Sequence, residues 1–149
     1  MGYGLRELNY MEIRTMQLYD YEEVMALWSR ASDIGVGPDD SRAHLGKYLH
    51  RNPGMSFVAL ENDRIVGAVM AGHDGYRGFI HHTAVDKEHR GKGIGEQLVR
   101  RAIEAIHADG VNKVVCVAFK SNSVGNSFWD KLGFTVRDDL YYRDLRMSN

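Results

Sequence analysis

Between Ile80 and Phe119 the chain changes its hydrophobic period twice, and this limits the folds open to it. Gly78-Phe79-Ile80-His81-His82-Thr83-Ala84-Val85 reads as a strand. From Ile94 the period becomes helical. Ile94, Leu98, Val99, Ala102, Ile103 and Ile106 form one apolar stripe, with Glu96, Arg100, Arg101, Glu104 and His107 opposite. Gly110 closes that helix. Val111–Phe119 is then a nearly continuous apolar run, as expected of a central strand buried on both faces. Strand, crossover helix and strand imply a parallel neighbour pair of right-handed connection. Upstream, the strands follow one another too closely for crossovers. Met55–Leu60 and Arg64–Ala71 flank Glu61-Asn62-Asp63, a short hairpin loop, and Gly72-His73-Asp74-Gly75 turns the chain again. A meander feeding a βαβ unit gives a mixed sheet in an α/β fold.

The remaining elements fit around this. Met11-Glu12-Ile13-Arg14-Thr15-Met16 alternates as a half-buried strand does. Asp20-Tyr21-Glu22-Glu23 reads as a capping box ahead of Val24, Leu27, Trp28 and Ala31 at helical spacing. After a loop from Ser32 to Pro38, a second helix runs from about Ser41 to His50 and stops at Asn52-Pro53-Gly54. Asn122–Leu132 is a helix with Gly133 at its C-terminal cap, and Phe134–Val136 and Leu140–Leu145 read as two short strands. The expected order is β-α-α-β-β-β-α-β-α-β-β. The 149 residues suit one domain, 1–149, in which Met1–Tyr10 is weakly patterned, a candidate leader or expression remnant ahead of Met11.

Charge and cysteine usage exclude several functions. Nineteen Lys and Arg against 20 Asp and Glu give a net charge of -1, without the footprint of a nucleic-acid binder. No apolar stretch approaches the ~20 residues of a membrane span. Cys116 stands alone, so neither a disulfide framework nor a zinc site of several thiolates is available. The start has no apolar signal core, and the cytoplasm is the default compartment.

Glycine is over-represented, at 16 residues in 149, and the excess clusters in 67–78 and 91–95. Arg90-Gly91-Lys92-Gly93-Ile94-Gly95 sits between a strand and an amphipathic helix. Its glycines let the backbone turn tightly and approach a ligand. The helix behind offers unpaired N–H groups and the positive end of its dipole, a phosphate cradle flanked by Arg90 and Lys92. A P-loop does not fit, because Lys92 is followed by Gly93. A Rossmann turn does not fit either, because position 96 is Glu and the strand ends an antiparallel meander. An ordinary glycine-rich connection is the plain alternative.

Val85-Asp86-Lys87-Glu88-His89-Arg90-Gly91-Lys92-Gly93-Ile94-Gly95 resembles the acetyl-CoA signature of the GCN5-related N-acetyltransferases, the GNAT family. That signature is Arg or Gln, two residues, Gly, one residue, Gly or Ala, and Arg90, Gly93 and Gly95 fill it. Asn122, Phe128-Trp129 and Gly133-Phe134 resemble the family's downstream segment, and the element order is the family's. The resemblance spans about Met11 to Arg146. It implies that Arg90, Gly91, Lys92, Gly93, Ile94 and Gly95 hold the pyrophosphate of CoA. It implies that the strand at Thr83, Ala84 and Val85 pairs with the pantetheine arm, which enters where the fourth strand, Gly78–Val85, splays from the fifth, Val111–Phe119. The Val85 N–H would face the thioester carbonyl, and Asn122 would contact the pantetheine or its thiol end. Two positions depart: Lys87 replaces a common proline, and Trp129 stands on the cofactor side where a tyrosine is usual.

A neutral amine must attack the thioester, and an alkylamine with a pKa of about 10.4 needs a proton acceptor. His81 and His82 are the candidates, with an ordinary pKa of about 6.5. Strand alternation puts only one on the face of Phe79, Thr83 and Val85, and that is His81, the expected base. The same alternation disfavours a metal site there. His44 and His50, six apart, are not a helical chelating pair, and no metal is expected. Asp33, Asp39, Asp40 and His44 lie where the family's acceptor-closing elements would be, and could attract a cationic amine or simply form a solvated loop. Tyr76, Tyr141 and Tyr142 are either acceptor-site linings or edge packing, and Cys116 and Trp28 read as core. The resemblance therefore implies transfer of acetyl from acetyl-CoA to a primary amine in a ternary complex, on a small molecule or a peptide. A CoA-binding sensor without turnover and a protein N-terminal or lysine acetyltransferase are the alternatives. Homodimers are frequent in the family.

Overall fold

A computed structural model describes residues 11–31 and 34–148. Met1–Tyr10, Ser32 and Asp33, including the candidate leader and the expected acidic role of Asp33, lie outside the described residues. The chain forms two compact units, Met1–Val117 and Ala118–Asn149.

The first unit is a five-stranded sheet in the order β1 (Met11–Thr15), β2 (Phe57–Glu61), β3 (Arg64–His73), β4 (Gly78–Val85) and β5 (Val114–Cys116). The first four pair antiparallel and β4 pairs parallel to β5. The hairpin between β2 and β3 turns through Asn62 and Asp63 at φ of 50° and 65°, as a two-residue reversal with left-handed central residues requires. Helices α1 (Tyr21–Arg30) and α2 (Arg42–Arg51) connect β1 to β2. Helix α3 (Ile94–Ala108) makes the crossover from β4 to β5.

The helices lie on opposite faces of the sheet. A Cβ added at Gly67 would meet Leu98 and Ile94 of α3 at 3.0 and 3.2 Å. One added at Gly72 would meet Asn52 and the Tyr48 hydroxyl within 2.7 Å, on the α2 side. Val24, Leu27 and Trp28 of α1 share a core with Leu45 of α2, Val58, Leu60, Ile65, Ala68 and Ala84. Each such aliphatic side chain contributes about 1.5–3 kcal/mol by burial.

The capping box expected at Asp20 and Glu23 is not formed, because both carboxylates have tertiary partners. Asp20 receives Arg14 at 2.7 and 2.8 Å and the Gln17 N–H at 2.8 Å, and Glu23 receives the Ile65 N–H at 3.0 Å. Asp20 is buried, so Asp20→Ala strands a guanidinium and an N–H. We expect a loss of about 3–5 kcal/mol in urea unfolding, against under 1 kcal/mol for an exposed ion pair such as Arg100–Glu96.

The second unit carries α4 (Ser123–Lys131). Asn122 caps it by accepting the Gly125 N–H at 2.8 Å, and Gly133 follows at φ of 94°. The strands expected at Phe134–Val136 and Leu140–Leu145 are not formed, and those residues have no strand pairing. Alternation supplies a face but no hydrogen-bonded neighbour, and Val136, Leu140, Tyr141, Tyr142 and Leu145 are exposed. The fifth strand is also shorter than its apolar run. Only Val114–Cys116 pairs, opposite Gly78–Ile80.

Candidate active site

The early end of β5 pairing leaves β4 with one neighbour from His81 to Val85. Gly78 donates its N–H to the Lys113 carbonyl at 2.8 Å, and the parallel ladder runs only to Ile80 opposite Cys116. β5 ends there, and among the described residues the edge of β4 that faced it is unpaired beyond Ile80.

A bulge decides what that edge offers. Ile80 pairs with Ala71 and Thr83 with Val69, so three steps along β4 match two along β3. The extra residue lies in the His81-His82 pair. Before it, the N–H groups of even residues such as Gly78 point to β5. After it the parity reverses, because Asp86 donates its N–H to Val66 on the β3 side at 2.7 Å. In an antiparallel ladder this commits Ala84 to β3 and turns the N–H and C=O of Thr83 and Val85 to the open edge. The Val85 carbonyl accepts Arg90 Nε–H at 3.2 Å. Of the three residues expected along the pantetheine arm, Thr83 and the Val85 N–H thus present backbone to the open edge, while Ala84 packs into the α1 core. Thr83 Oγ1 is buried without a hydrogen-bond partner beside this edge.

The bulge also corrects the assignment of faces. His81 does not share a face with Thr83 and Val85, and the two histidines do not point apart. Phe79, opposite Gly72, faces α2, and His81 stacks on it at 4.6 Å with its edge to Tyr48 at 5.4 Å. His82 meets Trp28 of α1 at 4.9 Å. Both rings therefore lie on the α1–α2 face, whereas Thr83 and Val85, opposite Val69 and Gly67, face α3. The extra residue makes two successive side chains share one face, which strict alternation forbids. Burial, and then the neighbouring His82 charge, hold the His81 pKa below its ordinary value.

His82 is half-buried and its Nε2 lies 2.9 Å from Asp40 Oδ1. Asp40 ends a single helical turn, Pro38–Asp40, and its Oδ2 accepts the Gly37 N–H at 2.9 Å. Tyr21 Oη donates to the Asp40 carbonyl at 3.0 Å. Nothing in the sequence marked this pair, whose members are 42 residues apart. Two adjacent polar residues inside an apolar strand were the one available sign of a bulge. His44 Nδ1 is held by Ser41 Oγ at 2.7 Å, capping α2. Tyr76, Tyr141 and Tyr142 are exposed, and burial pushes the Cys116 thiol up to about 11. Such a thiol is no nucleophile at neutral pH.

The glycine turn follows β4. His89 ties it down, with Nε2 at 2.7 Å from Glu61 of β2, while Asp86 lies 3.7 Å from Arg30. Gly91 and Gly93 have φ of 81° and 79°, and Cβ atoms there would point into open space or only reach Gln97 at 4.0 Å. No side chain caps α3, so the N–H groups at Gly93, Ile94 and Gly95 remain available, with Arg90 and Lys92 alongside. Backbone donors facing open space could hold a pyrophosphate, and the open edge at Thr83 and Val85 could pair with an extended amide-bearing arm.

In the second unit, Asn122 uses its Oδ1 as a helix cap and keeps its amide N–H groups. Trp129 packs edge-on to Phe128 at 5.0 Å and Phe134 at 5.1 Å. Among the described residues no three His, Cys, Asp or Glu side chains converge as metal ligands, and no helix is long and apolar enough to cross a membrane.

Comparison with known proteins agrees with this geometry. The sequence model of the acetyltransferase (GNAT) family matches residues 21–134. An acetyltransferase of Sodalis glossinidius is 31% identical over 137 residues, covering 92% of this chain and 96% of that protein. The PaiA N-acetyltransferase of Thermoplasma acidophilum, solved with coenzyme A, superposes with a TM-score of 0.74 at 21% identity, covering 87% of this chain and 92% of that one. The aminoglycoside N-acetyltransferase AAC(6')-Iy, also solved with CoA, gives 0.74 at 19% identity, covering 92% and 95%. With a family match over most of its length, a relative 31% identical over 92% of the chain and a mixed five-stranded sheet, this chain belongs to the GNAT family of acetyltransferases.

Proposed function

We propose that the protein transfers acetyl from acetyl-CoA to a primary amine by direct attack in a ternary complex. The observation that carries this reading is the open edge of β4, which loses β5 at Ile80 and where the bulge turns the Thr83 and Val85 backbone outward. In this reading Arg90, Gly91, Lys92, Gly93, Ile94 and Gly95 bind the pyrophosphate. Thr83 and Val85 hold the pantetheine arm, and the Val85 N–H stabilises the oxyanion as the amine adds to the thioester. The phosphates enter from the α3 side and the acceptor from the α1–α2 side, where a β4 histidine takes the amine proton. His81 is the candidate from the sequence. With the faces corrected, His82 stands beside it on equal ground. Asn122 as a contact to the arm rests on the family resemblance alone.

The acceptor class is tested by free-thiol release from acetyl-CoA with spermidine, glycine, sisomicin and a short peptide as amines. Turnover with spermidine or sisomicin but not the peptide supports a small-molecule enzyme, and the reverse supports the protein-acetylating alternative. Thermal stabilisation by acetyl-CoA with no thiol release from any amine would leave the sensor reading standing.

Trp129 bears on the leaving group. An indole N–H donates a hydrogen bond but gives up no proton near neutral pH, whereas a thiol of pKa about 8.5 leaves adequately as thiolate. Trp129 is packed against Phe128 and Phe134. Trp129→Phe is therefore expected to keep kcat within about threefold, read by thiol release. A loss of general-acid size, ~10²–10⁴-fold, with intact acetyl-CoA binding would place the indole in the chemistry.

A further inference from the structure

We propose that His82, oriented by Asp40, is the group that accepts the amine proton, with Asp40 a positioning residue. This rests on the acetyl-transfer reading above. The Asp40 carboxylate accepts only, so at 2.9 Å it fixes the hydrogen of the neutral ring on Nε2. The lone pair is then on Nδ1, which has no hydrogen-bond partner among the described residues. The Gly37 N–H, the Tyr21 hydroxyl on the Asp40 carbonyl and the Trp28 ring against His82 hold both partners in place.

The groups facing His82 decide between the two histidines. As the base gains a proton it becomes a cation, and the Asp40 carboxylate stabilises that cation directly. His81 has no hydrogen-bonded carboxylate among the described residues. It stacks on Phe79 and meets Tyr48 edge-on, with no hydrogen bond to fix its tautomer. Burial and then His82 oppose its protonation, and Asp40 favours it only as a charge at a distance. Of the two rings, only His82 is hydrogen-bonded to Asp40. His82 lies on the α1–α2 face from which the acceptor enters in this reading, three residues and about 10 Å of strand from Val85, a span shared by the imidazole side chain, the acceptor amine and bridging water.

The step balances as follows. The neutral amine nitrogen forms a bond to the thioester carbon, the C–S bond breaks, and CoA leaves as thiolate. The amine proton passes to His82 Nδ1, directly or through one water, and from there to the thiolate or solvent.

Asp40→Asn is the sharpest test. An Asn keeps an oxygen for the Gly37 N–H but offers His82 Nε2 a donor. That reverses the tautomer and places a hydrogen on Nδ1. With acetyl-CoA and the amine giving fastest thiol release, His82→Ala, His82→Gln and Asp40→Asn should each lower kcat by about 10²–10⁴-fold. KM and thermal stabilisation for acetyl-CoA should stay near wild type. His81→Ala should stay within a few-fold. The inference is overturned if His81→Ala loses the rate while His82→Gln keeps it, or if the His82 and Asp40 variants lose acetyl-CoA stabilisation in proportion to rate. In either case acetyl transfer by the wild type still stands. Wild-type protein with neither thiol release nor stabilisation by acetyl-CoA would overturn the transfer reading itself.

Discussion

Gly93→Val should erase the rise in Tm that acetyl-CoA gives the wild type. At a ligand concentration 100 times Kd the native state gains about 2.7 kcal/mol, roughly 5–10 °C for a chain of this size. Gly93 sits at φ of 79°, directly before the first turn of α3, and its Cβ position is open apart from Gln97 at 4.0 Å. A valine there does two things. It holds a β-branched residue in a left-handed conformation, costing about 1–3 kcal/mol of intrinsic stability. It also fills the space through which phosphate oxygens must reach the N–H groups behind it. The two effects separate experimentally. Strain lowers the Tm of the free protein, whereas occlusion removes the ligand-dependent increment. Lys92→Ala, which leaves the backbone untouched, should lower affinity only modestly by removing one exposed charge. A Gly93→Val protein that still gains the full increment would remove the glycine turn from the cofactor site.

The turn was readable because its chemistry is local. Spacing, strand before and helix after are all features of contiguous sequence, and the structure has Gly91, Gly93 and the α3 terminus as expected. The meander and crossover were readable for the same reason, since each period change falls inside one stretch. What was not legible depends on which of several possible partners a group takes. Asp20 has the spacing of a cap for α1, but Arg14 and the Gln17 N–H, six and three residues upstream, occupy it. Val136 and Leu140–Leu145 had a strand's pattern with no strand beside them. The bulge is the most instructive case. One surplus residue against Met70 reverses the parity of everything after it. Alternation counted correctly from Phe79 therefore gives the wrong face for Thr83 and Val85. The Asp40–His82 pair could not appear before that reversal was known, because counting had put His82 on the face opposite His81.

The same parity makes Val85→Pro the strongest test of the oxyanion assignment. Proline removes an N–H, and in a paired strand that breaks the ladder. At Val85 the N–H points to the open edge of β4 rather than to β3, since Asp86 and Ala84 carry the bonds to Val66 and Ala68. Val85→Pro should therefore leave the sheet intact, with a loss of stability near 1 kcal/mol or less. Ala84→Pro should cost about 1–3 kcal/mol by stranding a buried acceptor on β3. The effects on rate should run the other way. Losing one oxyanion donor lowers kcat by about 10²–10³-fold, so Val85→Pro is expected to be folded and nearly inactive. Thiol release at saturating acetyl-CoA and amine reads the rate, and urea unfolding reads the fold. If Val85→Pro retains wild-type kcat, the oxyanion is stabilised elsewhere, and the free edge of β4 serves only to hold the arm of the cofactor.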